Sequence, residues 1–334
     1  MARPESLHRA ERLTIGVVIA TSGRSRPLRD CLLSMDSQDV LPEETVVVDS
    51  SADFETRDLI AGLRGVLRFE CEYIHTTVAS AAQQRNLGAE SVKSDLILFL
   101  DDDVVLEPGF FAAISDVFHS DVSGRVAGVS GTITNQVYSD PKGLNRFLLG
   151  LCLGTFRGSY AGRILGPAVN FLPADGAVGA QEVDWLPSTC TAFRRDIFLA
   201  YRFERTFQGY SFAEDVHLST RIARKYRLMN TTRARVFHAD LGKDTHRDWA
   251  ALGESQVKNR HLIMTTVLGK TGLTDHFRLF AYEILYTACT LVVAGLGKRS
   301  RRKLTELMRG KLRGFMKIWT ATGSASTTPG EVRL

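Results

Sequence analysis

The chain has 334 residues, 44% of them hydrophobic and 24% charged, which suits a soluble globular protein with room for one large domain or two small ones. Its net charge of +5 is uneven: between positions 298 and 317 nine Lys and Arg residues stand against Glu306, about +8, so the rest of the chain is slightly acidic. A basic balance confined to one segment argues against a nucleic-acid partner for the body, and five scattered cysteines with no CxxC pair argue against a disulfide framework or a zinc site.

The opening MARPESLHRAERL lacks the apolar core of a secretory signal, so a cytoplasmic location is expected. Residues 13–20 (LTIGVVIA) and 45–49 (TVVVD) are short β-branched runs, and between them PLRDCLLSMDSQ places Leu28, Cys31, Leu32 and Met35 at helical spacing. The pattern continues with a helix near 56–64, a strand at 68–74, a helix over 79–91 and the strand 95–100. Strands alternating with helices predict an α/β fold with a mostly parallel, Rossmann-like sheet covered on both faces.

Ligands of such sheets bind beyond the carboxyl ends of the strands. Thr21, Ser22, Asp49, Ser50, Ser51 and the run Asp101, Asp102, Asp103 all stand at those ends, so they are expected to line one crevice. Three adjacent acids after a buried strand repel one another unless a cation or a set of donors neutralises them. Hard oxygen ligands favour Mg²⁺ or Mn²⁺, and Mg²⁺ is commonly shared with substrate phosphates. No GxGxxG or GxxxxGK[ST] phosphate loop is present.

Beyond Pro108 the pattern loosens: 137–183 reads as a loop-rich insertion around the apolar LNRFLLGLCLG. VDWLPSTCTAFRRDIF and AEDVHLSTR then carry regular signals again, Glu214 and Asp215 standing where acids favour the first turn of a helix.

In order, VVIATSGRSRPLRDCLLSMDSQ, VVVDSSAD, QQRNLG, ILFLDDDV, WLPSTCTAFRR and AEDVHLSTR resemble the motifs of the family 2 glycosyltransferases, inverting enzymes of the GT-A fold, over about residues 13–265. The resemblance implies a nucleotide-sugar half (13–105) and a contiguous acceptor half (106–265). It implies that Thr21, Asp49, Arg85, Asp101 and Asp102 bind the donor, with Asp49 at its base or ribose. Asp101 and Asp103 would hold the metal on the diphosphate, with His238 beside it. Asp215 would be the general base, Trp185 and Glu214 would line the acceptor pocket, and Arg260 would pair with phosphate. The implied reaction moves a sugar to a saccharide or lipid-linked acceptor in cell-surface polysaccharide or glycolipid synthesis. A sugar-phosphate nucleotidyltransferase would resemble its own family in a GxGxR loop after the first strand, which TSGRSRPL lacks, and an inactive sugar-nucleotide-binding scaffold would not need the acids at 101, 103 and 215.

The C-terminal region, 270–320, is expected to be helical. Residues 279–297 are apolar but interrupted by Glu283 and short for a membrane span. With the basic segment after them they are expected either to seat the protein peripherally on the anionic inner face of a membrane or to pack on the core, with the basic segment solvated. Residues 321–334 read as a disordered tail.

Overall fold

The computed structural model describes residues 13–136, 138–167, 169–171, 178–207, 211–239, 248–293 and 298–325. The first half runs β1 (Ile15–Thr21), α1 (Ser25–Asp36), β2 (Glu44–Asp49), α2 (Glu55–Leu63), β3 (Cys71–His75), α3 (Ala81–Ser91) and β4 (Leu96–Asp101), each within a few residues of the predicted element. There follow β5 (Val104–Leu106), α4 (Phe110–His119), β6 (Val126–Ile133), α5 (Gly143–Leu153), and the two-residue strands β7 (Ile164–Leu165) and β8 (Asn170–Phe171). The apolar LNRFLLGLCLG thus forms the helix α5, and turns fill most of the described remainder of the insertion.

Next come β9 (Ala180–Val183), β10 (Cys190–Arg194), α6 (Arg195–Tyr201), α7 (Glu214–Ile222) and β11 (Arg227–His238). Helix α8 (Trp249–Leu262) passes into a π-helical turn (Ile263–Val267), then α9 (Leu273–Val293) and α10 (Lys298–Ala325) close the chain. Asp248 starts α8 by accepting the amides of Ala250 and Ala251 at 2.9 and 3.0 Å. Helix α10 continues to Ala325, five residues into the segment expected to lack structure; residues 326–334 lie outside the described residues, as do 294–297 of the apolar run. No described helix is long and apolar enough to cross a membrane.

The main sheet has the order β3-β2-β1-β4-β10-β6-β11-β5, with β9 on β11. Strands β3, β2, β1 and β4 are parallel, β10 runs antiparallel between β4 and β6, and β11 is again parallel to β6. The period-two alternation of strand side chains divides the core: Val17, Ile19, Val47 and Leu98 face α1, α2 and α4, while Val18, Val46, Val48 and Phe99 face the side of α3, α6 and α7. Phe99 lies 4.7 Å from Phe198 and 5.6 Å from Phe203, centroid to centroid, so aromatic rings fill the second layer. Each such buried side chain contributes about 1.5–3 kcal/mol. Cys31, Cys71, Cys152 and Cys190 are free thiols, three of them buried; the side chain of Cys289 lies outside the described residues.

From β1 the chain order proceeds outward to β2 and β3 on one side and to β4 on the other. A crevice therefore opens at the carboxyl ends of β1 and β4, the switch point where open α/β sheets place their ligands. A register shift between Asn230 and Arg235 bends β11, whose end pairs with β5 so that His238 stands opposite Val104, next to the acidic run.

Candidate active site

Residues Asp101, Asp102 and Asp103 span the turn from β4 to β5, and their side chains diverge. Asp102 points back to β1, where its Oδ2 accepts the Thr21 hydroxyl at 2.6 Å. It is 5% exposed, and burial pushes its pKa up to about 7 against the opposing pull of Arg24 and Thr21. Thr21 and Asp102, expected to face the donor, thus face each other and staple the ends of β1 and β4.

Asp101 and Asp103 take further partners, while Arg24 also reaches Asp102 Oδ1 with its Nε at 3.4 Å. Asp101 Oδ1 accepts Arg85 Nη2 at 2.7 Å, while Asp103 accepts Arg24 Nη2 at 2.6 Å and pairs with His238 Nε2 at 2.9 Å. Burial raises the Asp103 pKa, but the hydrogen bond and charge of His238 and the charge of Arg24 outweigh it and hold the group below the usual carboxylate range. His238 is the mirror image: burial alone would lower its pKa, and Asp103 lifts it above the ordinary imidazole value. Two arginines and a histidine thus offset part of the repulsion that the sequence left to a metal ion.

Arg85 is the central cation. It is 5% exposed, and besides Asp101 it donates to Glu214 Oε1 at 3.1 Å, which ties the acidic turn to the start of α7. Gln84 beside it donates to the carbonyls of Thr21 and Val48, both at 2.8 Å, and locks α3 across two strand ends. Asn86 points elsewhere, exchanging two hydrogen bonds with the backbone of Phe203.

Glu214 and Asp215 open α7 after a turn in which Ala213 has φ 64°. Glu214, expected at the acceptor, is buried against Arg85. Asp215 is only partly buried, and its Oδ1 accepts the Val216 amide at 2.7 Å. Burial raises the pKa of both acids, and each also feels other charges of the cluster. A carboxylate with elevated basicity, held at a helix start and still reachable, has the properties of a general base.

Asp49, at the end of β2, is fully buried; it accepts the Ser51 amide at 2.9 Å, the Ser51 hydroxyl, and the Tyr73 hydroxyl at 3.1 Å. Trp185, expected to wall the acceptor pocket, packs in the third core cluster with Ala213, Val216 and Ile263 and is 9% exposed. Arg260, read as a phosphate ligand, lies instead in the core, paired with Glu283 at 2.8 Å, because α9 supplies a buried carboxylate that the sequence pattern did not assign to it.

Asp101, Asp103 and His238 each offer a ligand atom within 4.8 Å of the other two. The Nδ1 of His238 is buried and has no hydrogen-bond partner among the described residues. Two carboxylates and an imidazole with a spare nitrogen fit Mn²⁺ or Mg²⁺, the imidazole favouring the softer Mn²⁺.

A mixed, mostly parallel α/β sheet with an acidic cluster at its switch point and a carboxylate facing it from a later helix is the architecture of the GT-A glycosyltransferases. The family model for glycosyl transferase family 2 matches residues 16–199. More than half of the chain is covered, and the protein belongs to that family. No curated protein matches the chain as a sequence relative. Among solved structures it is similar to the mannosyltransferase PcManGT from Pyrobaculum calidifontis, in complex with GDP-Man and Mn²⁺, with a TM-score of 0.54 and 15% identity over 92% of this chain and 88% of that one. It is also similar to GalNAc-T7 with UDP, GalNAc and Mn²⁺, with a TM-score of 0.53 and 15% identity over 83% of this chain and 58% of that one. At this identity the likeness is one of fold.

Proposed function

We propose that the protein transfers a sugar from a nucleotide-sugar donor to an acceptor hydroxyl with inversion, Asp215 taking the acceptor's proton. The observation that carries this reading is the convergence of Asp101, Asp103 and His238 at the switch point, bridged through Arg85 to the α7 segment that bears Asp215. A divalent ion, held by Asp101, Asp103 and His238, would supply Lewis-acid stabilisation of the leaving diphosphate. Arg24, whose side chain is 38% exposed beside Asp103, is a second cation within reach of phosphate. Asp49, buried beneath that end of the crevice, holds Ser51 and Tyr73 in place for the nucleoside, and Thr21 with Asp102 supports the metal-binding turn. In a direct displacement the base and the leaving group lie on opposite faces of the sugar. Asp215, on a different element from Asp101, suits that requirement.

The acceptor reading is a saccharide or lipid-linked sugar of a cell-surface polysaccharide or glycolipid, reached from a peripheral position on an anionic membrane. Its support is the outer face of the C-terminal helices. On α9 Phe277, Phe280 and Ile284 form an exposed stripe, and on α10 Leu312, Met316 and Trp319 form another, Trp319 being 81% exposed. Arg309 and Arg313 accompany the second stripe, while Lys317 is paired with Glu254 of α8, so apolar and electrostatic contributions would add at an anionic surface.

The test is a panel of UDP- and GDP-sugars with Mn²⁺, scored by release of nucleoside diphosphate, followed by proton NMR of the freshly released sugar. Metal-dependent release with an inverted anomeric centre is expected. Release with retained configuration would remove the inverting reading.

A further inference from the structure

Asp215 depends on a turn that is unfavourable by itself. Ser211 and Ala213, on either side of Phe212, have φ 52° and 64°, a backbone region that non-glycine residues keep only when their surroundings hold them there. Phe212 is held from the C-terminal helices: Asn259 Nδ2 of α8 donates to its carbonyl at 2.7 Å, and the Arg260 guanidinium lies 5.0 Å from its ring.

Arg260 is itself fixed. It is buried, ion-paired through Nη1 to Glu283 of α9 at 2.8 Å and stacked near Tyr282 and Tyr286. The other oxygen of Glu283 meets Lys311 of α10 at 2.7 Å, and Lys311 also donates to Thr287 at 2.9 Å. Helices α8 and α10 are in backbone contact: a Cβ on Gly310 would overlap the Ala250 carbonyl, and one on Gly253 would overlap that of Leu307. A path of direct contacts therefore runs from α10 through Lys311, Glu283, Arg260 and Phe212 to the residues that start α7. Buried ion triads add little net stability over apolar side chains of similar size, but each fixes one arrangement of the elements it joins.

We propose that Asn259 and the Arg260–Glu283–Lys311 triad are positioning residues for Asp215, clamping the strained turn at Phe212 so that the base is aligned only when α9 and α10 are seated on α8. The proposal rests on the reading of Asp215 as the base. It gives the C-terminal helices a part in turnover distinct from any role in localisation, and it makes that part separable from donor binding, since donor contacts belong to the β1 and β4 side of the crevice.

The test uses the full chain with Mn²⁺ and the UDP- or GDP-sugar that the panel identifies, measuring hydrolysis kinetics and, by calorimetry with the matching nucleoside diphosphate, the number of folded sites. Asn259→Ala and Lys311→Met are expected to lower kcat per folded site by about tenfold, as small misalignments of a catalytic group do, with the donor KM changed less than about twofold. Asn259→Gln, which keeps a donor amide, is expected to recover part of the loss. A purely structural role would lower the melting temperature and the number of folded sites while leaving kcat per folded site unchanged, and that result would overturn the proposal. Asp215→Asn, run beside them, separates the two claims. Full turnover there would remove Asp215 as the base and the proposal with it; lost turnover there with unchanged kcat in Asn259→Ala would overturn the positioning role alone.

Discussion

Two clusters of charge in this molecule are built in opposite senses. At the crevice five acids, Asp101, Asp102, Asp103, Glu214 and Asp215, gather around Arg24, Arg85 and His238, and Asp215 and Arg24 keep contact with solvent. At the junction of α8, α9 and α10 a single carboxylate, Glu283, lies 1% exposed between Arg260 and Lys311. The first cluster carries more acid than the protein's own cations offset, and the ligand atoms of Asp101, Asp103 and His238 lie within 4.8 Å of one another, a set that a divalent ion would fit. The second sets one carboxylate between two cations and is closed to solvent, so its work is mechanical. Charge alone does not mark a site; a surplus of acid that solvent and ligand can reach does.

If that contrast holds, the two clusters should fail differently when cut. The largest effect is expected at the crevice: Asp215→Asn keeps the shape of the side chain but cannot take a proton, and turnover should fall by roughly two to four orders of magnitude, with nucleoside diphosphate affinity measured by calorimetry nearly unchanged. Loss of affinity in parallel with turnover would move Asp215 into the binding machinery.

The closed cluster should fail chiefly through stability, with only the roughly tenfold loss of kcat per folded site expected of a positioning group beside it. Glu283→Leu strands two buried cations, and a cost of about 3–5 kcal/mol in urea unfolding is expected, the range seen when one partner of a buried pair is removed. A cost below about 1 kcal/mol would mean that Arg260 and Lys311 find other partners and that the triad is not a lock.

A smaller, pH-dependent effect isolates a buried group outside both clusters. Burial holds the His217 imidazole neutral and its pKa down to about 4, while the unfolded chain takes up a proton near 6.5. Between those values the unfolded state binds more protons at this position, so the His217 contribution is intact above pH 6.5 and is lost as the pH drops towards 4, by at most about 3 kcal/mol. The raised pKa values of Asp102, Glu214 and Asp215 contribute with the opposite sign over the same range, so the urea midpoint of His217→Gln should fall less, or rise more, between pH 7 and pH 4.5 than that of the unaltered chain. An equal slope in the variant would place the acid sensitivity elsewhere.

Much of the parallel half was legible in the sequence because its strands are short β-branched runs buried on both faces, and such runs between helical repeats admit few arrangements. Asp101 and Asp103 were legible as candidates because they end a buried strand, whereas His238 and Asp215 were assigned their roles only by the resemblance to the family. What the pattern could not carry depends on distant partners. Asp102 turns to the end of β1 because the hydroxyl of Thr21, 81 residues earlier, donates to it there. Arg24 joins the acidic turn across 79 residues of sequence, although its place just after the end of β1 was a signal that it shares the crevice. Arg260 looked like a phosphate ligand until Glu283, interrupting an apolar helix for no reason visible in the sequence, proved to be its counter-ion.

The central claim is that the crevice is a metal-dependent site for a nucleotide sugar, and calorimetric titration of UDP and GDP into the protein with and without Mn²⁺ tests it most directly. At least one of the two should bind tightly with Mn²⁺ and weakly without it, and Asp103→Ala should abolish the difference in protein that remains folded, with a melting temperature lowered by the loss of its bonds to Arg24 and His238. Affinity that is the same with and without the ion, or that keeps its metal dependence in Asp103→Ala, would contradict the account.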